Sequence, residues 1–422
     1  MRINRLHLVL ISITLYWYLI PALNVESGSI TKITFTFLLW LTALVLITNY
    51  INNYHKLRSM FDFYGLGLLN LLLLTNGVNI FRGFFDSGVP LTTSLGNPFN
   101  ALALIAPLAI AFASNKSVPN LVNRYLLLIL VVGSALVMVS FAMNGFGVTR
   151  EYISPGWSLI YPMVFLIGAI TYLSRVERYA IIGTSILYFW YIGLIIGSRA
   201  TVLRICFLYF FAWLTRVPYS LITHFIYPFL FFSLFVFSYQ AINTPLSNGE
   251  SIFQQIHTYL QDFSGQSFNN TIIEKADTRT FLYYEVINDL INTGNLIFGK
   301  GSSGTYYSEY FQQTGQDVNT KTRLTVEAGI LAYLLKGGVF AVLLNISLFL
   351  YASYLAICKS NSRYVKWLGF TLIVHVYLLF VESLVSLDLY NLCIWLITGI
   401  CLAKEFLAMK DYQIKALLNG KR

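Results

Sequence analysis

Apolar segments, each long enough to form a membrane-crossing helix, recur along almost the whole of this chain. A helix needs about 20 mostly apolar residues to cross about 30 Å of hydrocarbon, and the sequence holds about twelve such segments. They lie near residues 7–23, 30–50, 61–80, 98–113, 125–143, 157–173, 179–198, 200–216, 221–241, 329–357, 367–384 and 388–404. The sequence therefore predicts an all-α polytopic membrane protein with about 12 transmembrane helices.

Composition excludes the main soluble classes of protein. Of the 422 residues, 57% are apolar and only 11% are charged, whereas a soluble domain carries about 25% charged residues. So few charges cannot cover the surface of a water-soluble enzyme, and aromatic residues make up 16% of the chain, which excludes disorder. None of the four cysteines lies in the long polar segment, so a disulfide-built secreted domain is excluded as well.

The distribution of basic residues predicts the orientation. Seventeen of the 28 Lys and Arg residues fall on one side of the predicted membrane, against four in the short loops of the other side. Basic residues in short loops mark the cytoplasmic side, so both termini are predicted to be cytoplasmic. The predicted organisation is an N-terminal bundle of about nine helices, an outer loop, about three C-terminal helices and a cytoplasmic tail, over residues 1–241, 242–326, 327–404 and 405–422 respectively.

The outer loop is predicted to contain a short helix over Arg279–Ile291. Three apolar residues recur there every four positions and would share one helix face: Leu282, Val286 and Leu290. The tripeptide at 293–295 is predicted to end the helix, and a glycine-rich turn follows at 299–304 before the chain returns to the membrane.

Two arginines at the predicted outer interface are candidates for chemistry. Arg199 lies between two apolar segments with almost no loop between them, so its guanidinium is expected at the depth of the lipid headgroups. Arg204 falls inside the next span, where a charge costs at least about 2.5–3.5 kcal/mol unless it is paired or reaches water. Arg204 is therefore expected either to face the protein interior or to extend towards the interface.

A second cluster of charges ends the outer loop. Lys321, Arg323 and Glu327 lie just before a long apolar helix. Glu327 could accept a proton from a hydroxyl group, or it could be a helix-start residue favoured by the macrodipole, and the spacing leaves both interpretations open. Further outer cations complete the set: Arg279, Lys275 and Lys300 in the loop, and Arg82 and Arg150 on other outer turns. Solvated charge is the preferred interpretation of Lys300.

Other chemistries find little support in the sequence. It contains no glycine-rich phosphate loop of the GxxxxGK[ST] type, no HExxH motif and no local spacing of metal ligands. Three polar residues near the eleventh span, His375, Glu382 and Asp388, are interpreted mainly as salt-bridging or packing groups. Neither a metal nor a cofactor is expected, and nothing indicates a nucleic-acid partner.

The layout resembles the Wzy-type polysaccharide polymerases, which are related to the O-antigen ligases. The matching features are an outer turn at Ser198-Arg199-Ala200, an Arg279-led helix, the turn Gly299-Lys300-Gly301, and Glu327 entering a helix that reaches Gly338. The resemblance covers most of the chain as architecture but only these short motifs as residues. Where the ligases carry a His-Asn pair this chain has Glu327-Ala328, which counts against a ligase.

The resemblance implies a glycosyltransferase on the outer face of a bacterial inner membrane. An undecaprenyl-diphosphate-linked glycan would be the donor and a second lipid-linked repeat unit the acceptor, with membrane lipid and a chain-length regulator as candidate partners. Arg199 and Arg279 are expected to bind the diphosphate, because guanidinium groups match phosphate oxygens, and Glu327 is expected to act as the general base. Substrate-binding residues of second choice are Arg204, Arg323, Lys321, Arg150 and Arg82.

Three alternatives stay open at this stage. A ligase would need the same donor pocket but would pass finished polymer to a different acceptor. A flippase for lipid-linked glycans would expose its site to both sides and usually shows two repeat halves, which this chain lacks. A non-catalytic scaffold would leave the Arg199 turn unexplained.

Overall fold

The computed structural model describes Val9 and residues 30–84, 98–144, 161–189, 199–217, 221–243, 278–308, 322–323, 326–382 and 388–419. This described part of the chain is mostly helical, at 83%, with 14 α-helices. These helices are α1 Ile30–Asn52, α2 Tyr54–Met60, α3 Phe63–Phe84, α4 Pro98–Leu108, α5 Val118–Asn144, α6 Arg175–Tyr188, α7 Arg199–Leu214, α8 Tyr227–Asn243, α9 Thr278–Asn292, α10 Gly329–Lys359, α11 Arg363–Leu379, α12 Leu389–Leu402, α13 Lys404–Ala408 and α14 Asp411–Leu418. The 3₁₀ helices Ala109–Ser114 and Tyr161–Ala169 and the π-helix Ile222–Ile226 complete the helical part that is described.

Three described helices are long and apolar enough to cross a membrane by themselves: Phe63–Phe84, Val118–Ala135 within α5, and Gly329–Lys359. A fourth span is possible if α1 and α2, which meet at a bend of 71°, count as one. The other described helices are shorter than a full span or less apolar, and the first predicted segment, 7–23, lies outside the described residues apart from Val9. The described chain thus agrees with a helical membrane protein, and the number of twelve spans stays a prediction.

The prediction of an all-α fold needs one small correction. Two short strands, β1 Tyr306–Tyr307 and β2 Thr322–Arg323, pair antiparallel, with Tyr306 opposite Arg323. The sequence does not predict these strands, because two residues are too few to show the alternation of apolar and polar residues that marks a strand.

α10 lies at the centre of the described helices and packs against α3, α11 and α12. Small residues allow the close approach of α10 and α11: a Cβ added at Gly369 would lie 2.8 Å from the Ala356 Cβ. Close backbone approach through small residues is the usual basis of helix packing in membranes, where there is no hydrophobic force between helices. The core of the protein is therefore built around α10.

Besides the packing along α10, one group of contacts between different segments lies at each end of this helix. Residues of the segments predicted to be cytoplasmic meet at its Lys359 end. Phe61 and Ala403 form a β-bridge, and backbone hydrogen bonds join Asp62 to Leu402 and Asn361 to Leu407. The Asp411 carboxylate accepts hydrogen bonds from the hydroxyls of Tyr172 and Ser362. Residues of the segments predicted to be outer meet at the Gly329 end, and the candidate site lies there.

The helix predicted in the outer loop is present as α9. The predicted face is buried, since Leu282, Val286 and Leu290 are each at most 1% exposed. The helix ends in a Schellman motif: Asn295 N–H donates to Leu290 O over 2.8 Å and Gly294 N–H donates to Ile291 O over 3.0 Å. Gly294 has the left-handed φ of 68° that this motif requires. Both the helix and its end were predicted from the sequence.

Candidate functional site

α10 is broken near its Gly329 end, and part of the loop predicted to be outer is inserted into the break. Gly338 has φ 66° and ψ −169°, which no continuous helix contains. In an unbroken helix the N–H groups of Val339 and Phe340 would donate to the carbonyls of residues 335 and 336. Here they donate to the carbonyls of Leu296 and Ile297, over 2.9 and 3.3 Å.

The same loop also satisfies the carbonyls on the other side of the break. Lys300 N–H donates to Leu335 O over 2.8 Å, and Gly301 N–H donates to Lys336 O over 2.9 Å. Backbone groups without a partner cost several kcal/mol each in hydrocarbon, so a helix broken at this depth needs outside partners. Residues 296–301, named here the inserted loop, provide four of them.

Glycine is required on both sides of this contact. A Cβ on Gly338 would collide with the carbonyl oxygen of Ile297, and a Cβ on Gly299 would come within 2.5 Å of the backbone nitrogens of Gly337 and Gly338. The turn Gly299-Lys300-Gly301 and Gly338, which the sequence analysis named as separate features, therefore form the two sides of one contact.

Arg82 holds the inserted loop from the side of α3. Its two terminal nitrogens donate to Phe298 O over 2.7 Å and to Gly299 O over 2.9 Å. Binding of substrate by Arg82, as predicted, stays untested, but the structure shows that its guanidinium already has a structural contact. Ser302 N–H also donates to Asn79 O over 3.0 Å, which adds a second link between this part of the chain and α3.

Arg204 is buried, with 1% of its surface exposed, and its guanidinium forms an ion pair with the carboxylate of Glu382. The same guanidinium lies 5.0 Å from the centre of the Tyr390 ring, in the geometry of a cation–π contact. Asp388 and His375 are close enough to interact electrostatically with it. Arg204 thus faces the interior, and extension towards the interface is excluded. Salt bridging, the role favoured for this group of polar residues, is confirmed for Glu382.

Glu382 lies in the turn that follows α11 and connects Arg204 to the start of α10. Its backbone carbonyl accepts a hydrogen bond of 2.7 Å from Gly329 N–H, the first residue of α10 and two residues after Glu327. The loop helix α9 reaches the same turn, because the Tyr283 hydroxyl donates to Phe380 O over 2.8 Å. Four elements therefore meet at this turn: α7, α9, α10 and α11.

A second, smaller group of polar residues lies around Tyr306. Tyr306 is 1% exposed and lies opposite Arg323 in the strand pair. Burial raises the pKa of Tyr306 to about 12, with the Arg323 cation acting in the opposite direction and the carboxylates of Glu285 and Glu327 adding to the rise. The phenol therefore stays protonated at neutral pH, and a cation and two carboxylates lie close enough to influence it.

Glu327 itself is exposed and lies one residue before Ala328, the residue that precedes α10. It is therefore not the capping residue of the helix, and no side chain forms a hydrogen-bonded cap there. Its exposure leaves the carboxylate accessible to a substrate, and both Glu327 and the half-buried Arg323 influence the pKa of Tyr306.

The remaining predicted site residues divide into two groups. For Arg199, the first residue of α7, and Arg279, in the first turn of α9, the structure describes the backbone and not the side chain. Lys321, Arg150 and Lys275 lie outside the described residues. Lys300 is not the solvated charge expected, because it forms an ion pair with Asp289 and donates to Thr305 O over 3.1 Å.

Sequence reasoning missed two members of the site, Tyr306 and Glu285. Tyr306 is one of 29 tyrosines and stands in no motif, so nothing in the sequence distinguishes it. Glu285 gave a weak signal, since it is a carboxylate on the predicted loop helix. In the part of the chain that the structure describes, no group of three or more His, Cys, Asp or Glu side chains could hold a metal ion.

Comparison of the chain with protein-family models, curated proteins and solved structures finds no match in any of the three.

Proposed function

We propose that this protein is a membrane glycosyltransferase that polymerises polyprenyl-diphosphate-linked oligosaccharide repeat units on the outer face of a bacterial inner membrane. The observation that carries the proposal is the grouping of an exposed carboxylate, Glu327, and a cation, Arg323, around Tyr306 at the outer end of the central helix. The sequence resemblance assigns the substrate class. The alternative interpretation, that Glu327 is a helix-start residue favoured by the macrodipole, stays open, because Glu327 lies two residues before Gly329, the first residue of α10.

The proposed reaction needs one base and one cluster of cations. A sugar hydroxyl of the acceptor attacks the anomeric carbon of the donor while Glu327 removes its proton. The bond between that carbon and the diphosphate oxygen breaks, and the electron pair leaves with the polyprenyl diphosphate. Because the donor is already activated, positioning and stabilisation of the departing charge are the main tasks of the enzyme.

The candidates for the diphosphate-binding role are now Arg199, Arg279 and Arg323. Arg204 is a weaker candidate, because its charge is matched by Glu382 and it is buried. Arg82 is weaker as well, because it already donates to two loop carbonyls. Arg323 lies opposite Tyr306 in the strand pair, four residues before Glu327 in the sequence, and is half-buried, so that it is partly accessible from outside.

The first test is Arg199→Ala in a strain whose own copy of the gene is deleted. We expect polymer to disappear while lipid-linked single repeat units accumulate, because loss of one transition-state charge donor costs about 10²–10³ in kcat. A gel of the surface polysaccharide and mass analysis of the lipid-linked fraction measure the two quantities.

Arg216→Ala is the matched control, because Arg216 is exposed and lies on the predicted cytoplasmic side. Normal polymer lengths in Arg199→Ala, at equal protein level, would remove Arg199 from the mechanism. In the deletion strain itself, stored polymer beside uncapped acceptor would identify a ligase, and the absence of any outer-leaflet intermediate would identify a flippase.

The second test compares Glu327→Gln with Glu327→Asp. A general base contributes about 10²–10⁴ to the rate, so the glutamine variant should lose most polymer whereas the aspartate variant retains part of it. Polymer yield per folded protein is the measurement. Equal yields from both variants would show that the carboxylate removes no proton.

A further inference from the structure

Arg204, on the apolar helix α7, forms an ion pair with Glu382, and His375 and Asp388 are close enough to interact electrostatically with it. The other described side chains of α7 are almost all apolar or aromatic, and Arg204 is the charged residue buried within it at 1% exposure. A buried charge without a partner is strongly destabilising, so the fold depends on the pairing being kept. The Tyr390 ring, 5.0 Å from the guanidinium, limits the directions in which Arg204 can move.

Glu382 makes two different contacts at the same time. Its side chain pairs with Arg204 on α7, and its backbone carbonyl accepts the N–H of Gly329 at the start of α10. One residue therefore links α7, which begins at Arg199, to α10, whose first residue follows Glu327 by two positions. The two proposed catalytic residues lie at the ends of the two helices that this residue joins.

We propose that Arg204 and Glu382 are positioning residues that hold the Arg199 end of α7 in register with Glu327. This inference rests on the proposed function, and it gives Arg204 a different role from the substrate binding that its charge alone suggested. The Arg204 charge is already matched by Glu382, so a diphosphate would compete with that carboxylate for the guanidinium. The pair instead acts on the reaction through the helix ends that it connects.

The experiment uses three variants of the full chain: Arg204→Met, Glu382→Met and the double variant. Methionine matches the length of the Glu382 side chain and replaces the aliphatic part of Arg204, and the double variant removes both charges, so that neither is left without the other. The purified protein is assayed with a synthetic lipid-diphosphate-linked repeat unit, and turnover is expressed per folded molecule. Lys116→Met is the control, because Lys116 pairs with Glu405 at the exposed opposite end.

We expect kcat to fall by about 100-fold in each single variant, as small displacements of reacting groups do elsewhere. The KM for the donor should stay within about threefold of the wild-type value, because no binding group is lost. The double variant should stay about as slow as the single variants although its thermal unfolding midpoint returns towards the wild-type value, because all three variants lack the link between α7 and Glu382. Lys116→Met should match the wild type.

Three results would overturn the proposal or its basis. A raised donor KM in both Arg204→Met and the double variant would show that Arg204 binds the substrate. Unchanged kcat per folded molecule in the single variants would reduce the pair to a purely stabilising role. A wild-type chain that does not extend the donor would overturn the proposed function. In that case the link between α7 and α10 is tested by the thermal unfolding midpoint alone. The single variants should lower this midpoint, and the double variant should restore it.

Discussion

Gly338 combines φ 66° with ψ −169°, a region of backbone space that only glycine enters readily. Its neighbour across the contact is the backbone of Ile297, so a side chain would meet a carbonyl group that cannot rotate away. The residue therefore carries two separate restrictions, one of dihedral angle and one of space, and both come from the insertion of the loop into α10.

Gly338→Ala should accordingly destabilise the protein by about 3 kcal/mol or more, the upper range for a residue forced into such a conformation. Gly77→Ala is the control: Gly77 lies in α3 with nothing within 4 Å of its added Cβ, and alanine favours the helix by about 1 kcal/mol. Thermal unfolding in detergent distinguishes the two. Equal midpoints for the variants would show that the loop contact adapts to a side chain.

At the scale of elements, the inserted loop works as a replacement for one turn of α10. Four backbone hydrogen bonds cross between them, and Arg82 adds two more from α3. Because hydrogen bonds to a charged group contribute about 1.5–3 kcal/mol, the arginine is expected to decide how firmly the loop is held. Its position on α3 also explains why an arginine occurs on the predicted outer side, where orientation selects against basic residues.

Arg82→Met should therefore speed amide hydrogen exchange at Lys300 and Gly301, by about tenfold or more, as expected for the loss of hydrogen bonds to a charged group. Arg216→Met, at the other end of the molecule, should leave that exchange unchanged. If Arg82 binds substrate as the sequence suggested and does not hold the loop, exchange will stay at the wild-type rate while polymer is lost.

At the scale of the whole molecule, one group of contacts between segments lies at each end of α10, and the charge pattern predicts opposite sides of the membrane for the two groups. Tyr307, beside the candidate site, belongs to the end predicted to be outer, and Tyr412 in α14 belongs to the end predicted to be cytoplasmic. Both side chains are exposed, at 41% and 66%. They are therefore suitable positions for testing the orientation.

In a Cys206→Ser background, a membrane-impermeant maleimide should label Tyr307→Cys in intact spheroplasts and Tyr412→Cys only after the membrane is opened. The other three cysteines, at 358, 393 and 401, are buried and should react slowly. The reverse pattern of labelling would invert the topology and place the candidate site on the wrong side for an outer-face reaction.

Patterns of local range were readable in the sequence alone. The apolar segments, the buried face of α9 and its glycine-ended Schellman motif follow from periodicity and from residue preferences within a few positions. The outer arginines were also recognisable as unusual, because the orientation of the chain makes basic residues rare on that side.

The partners of those residues were decided only by the tertiary structure. Arg82 bonds to carbonyls 216 and 217 positions away, and Arg204 pairs with a carboxylate 178 positions away. A charge or a backbone group buried in an apolar protein must be satisfied by whatever the fold brings to it, and no local pattern records which residue that will be. The sequence thus indicated where polar chemistry would be found, and packing determined which side chains hold the structure and which stay open to a substrate.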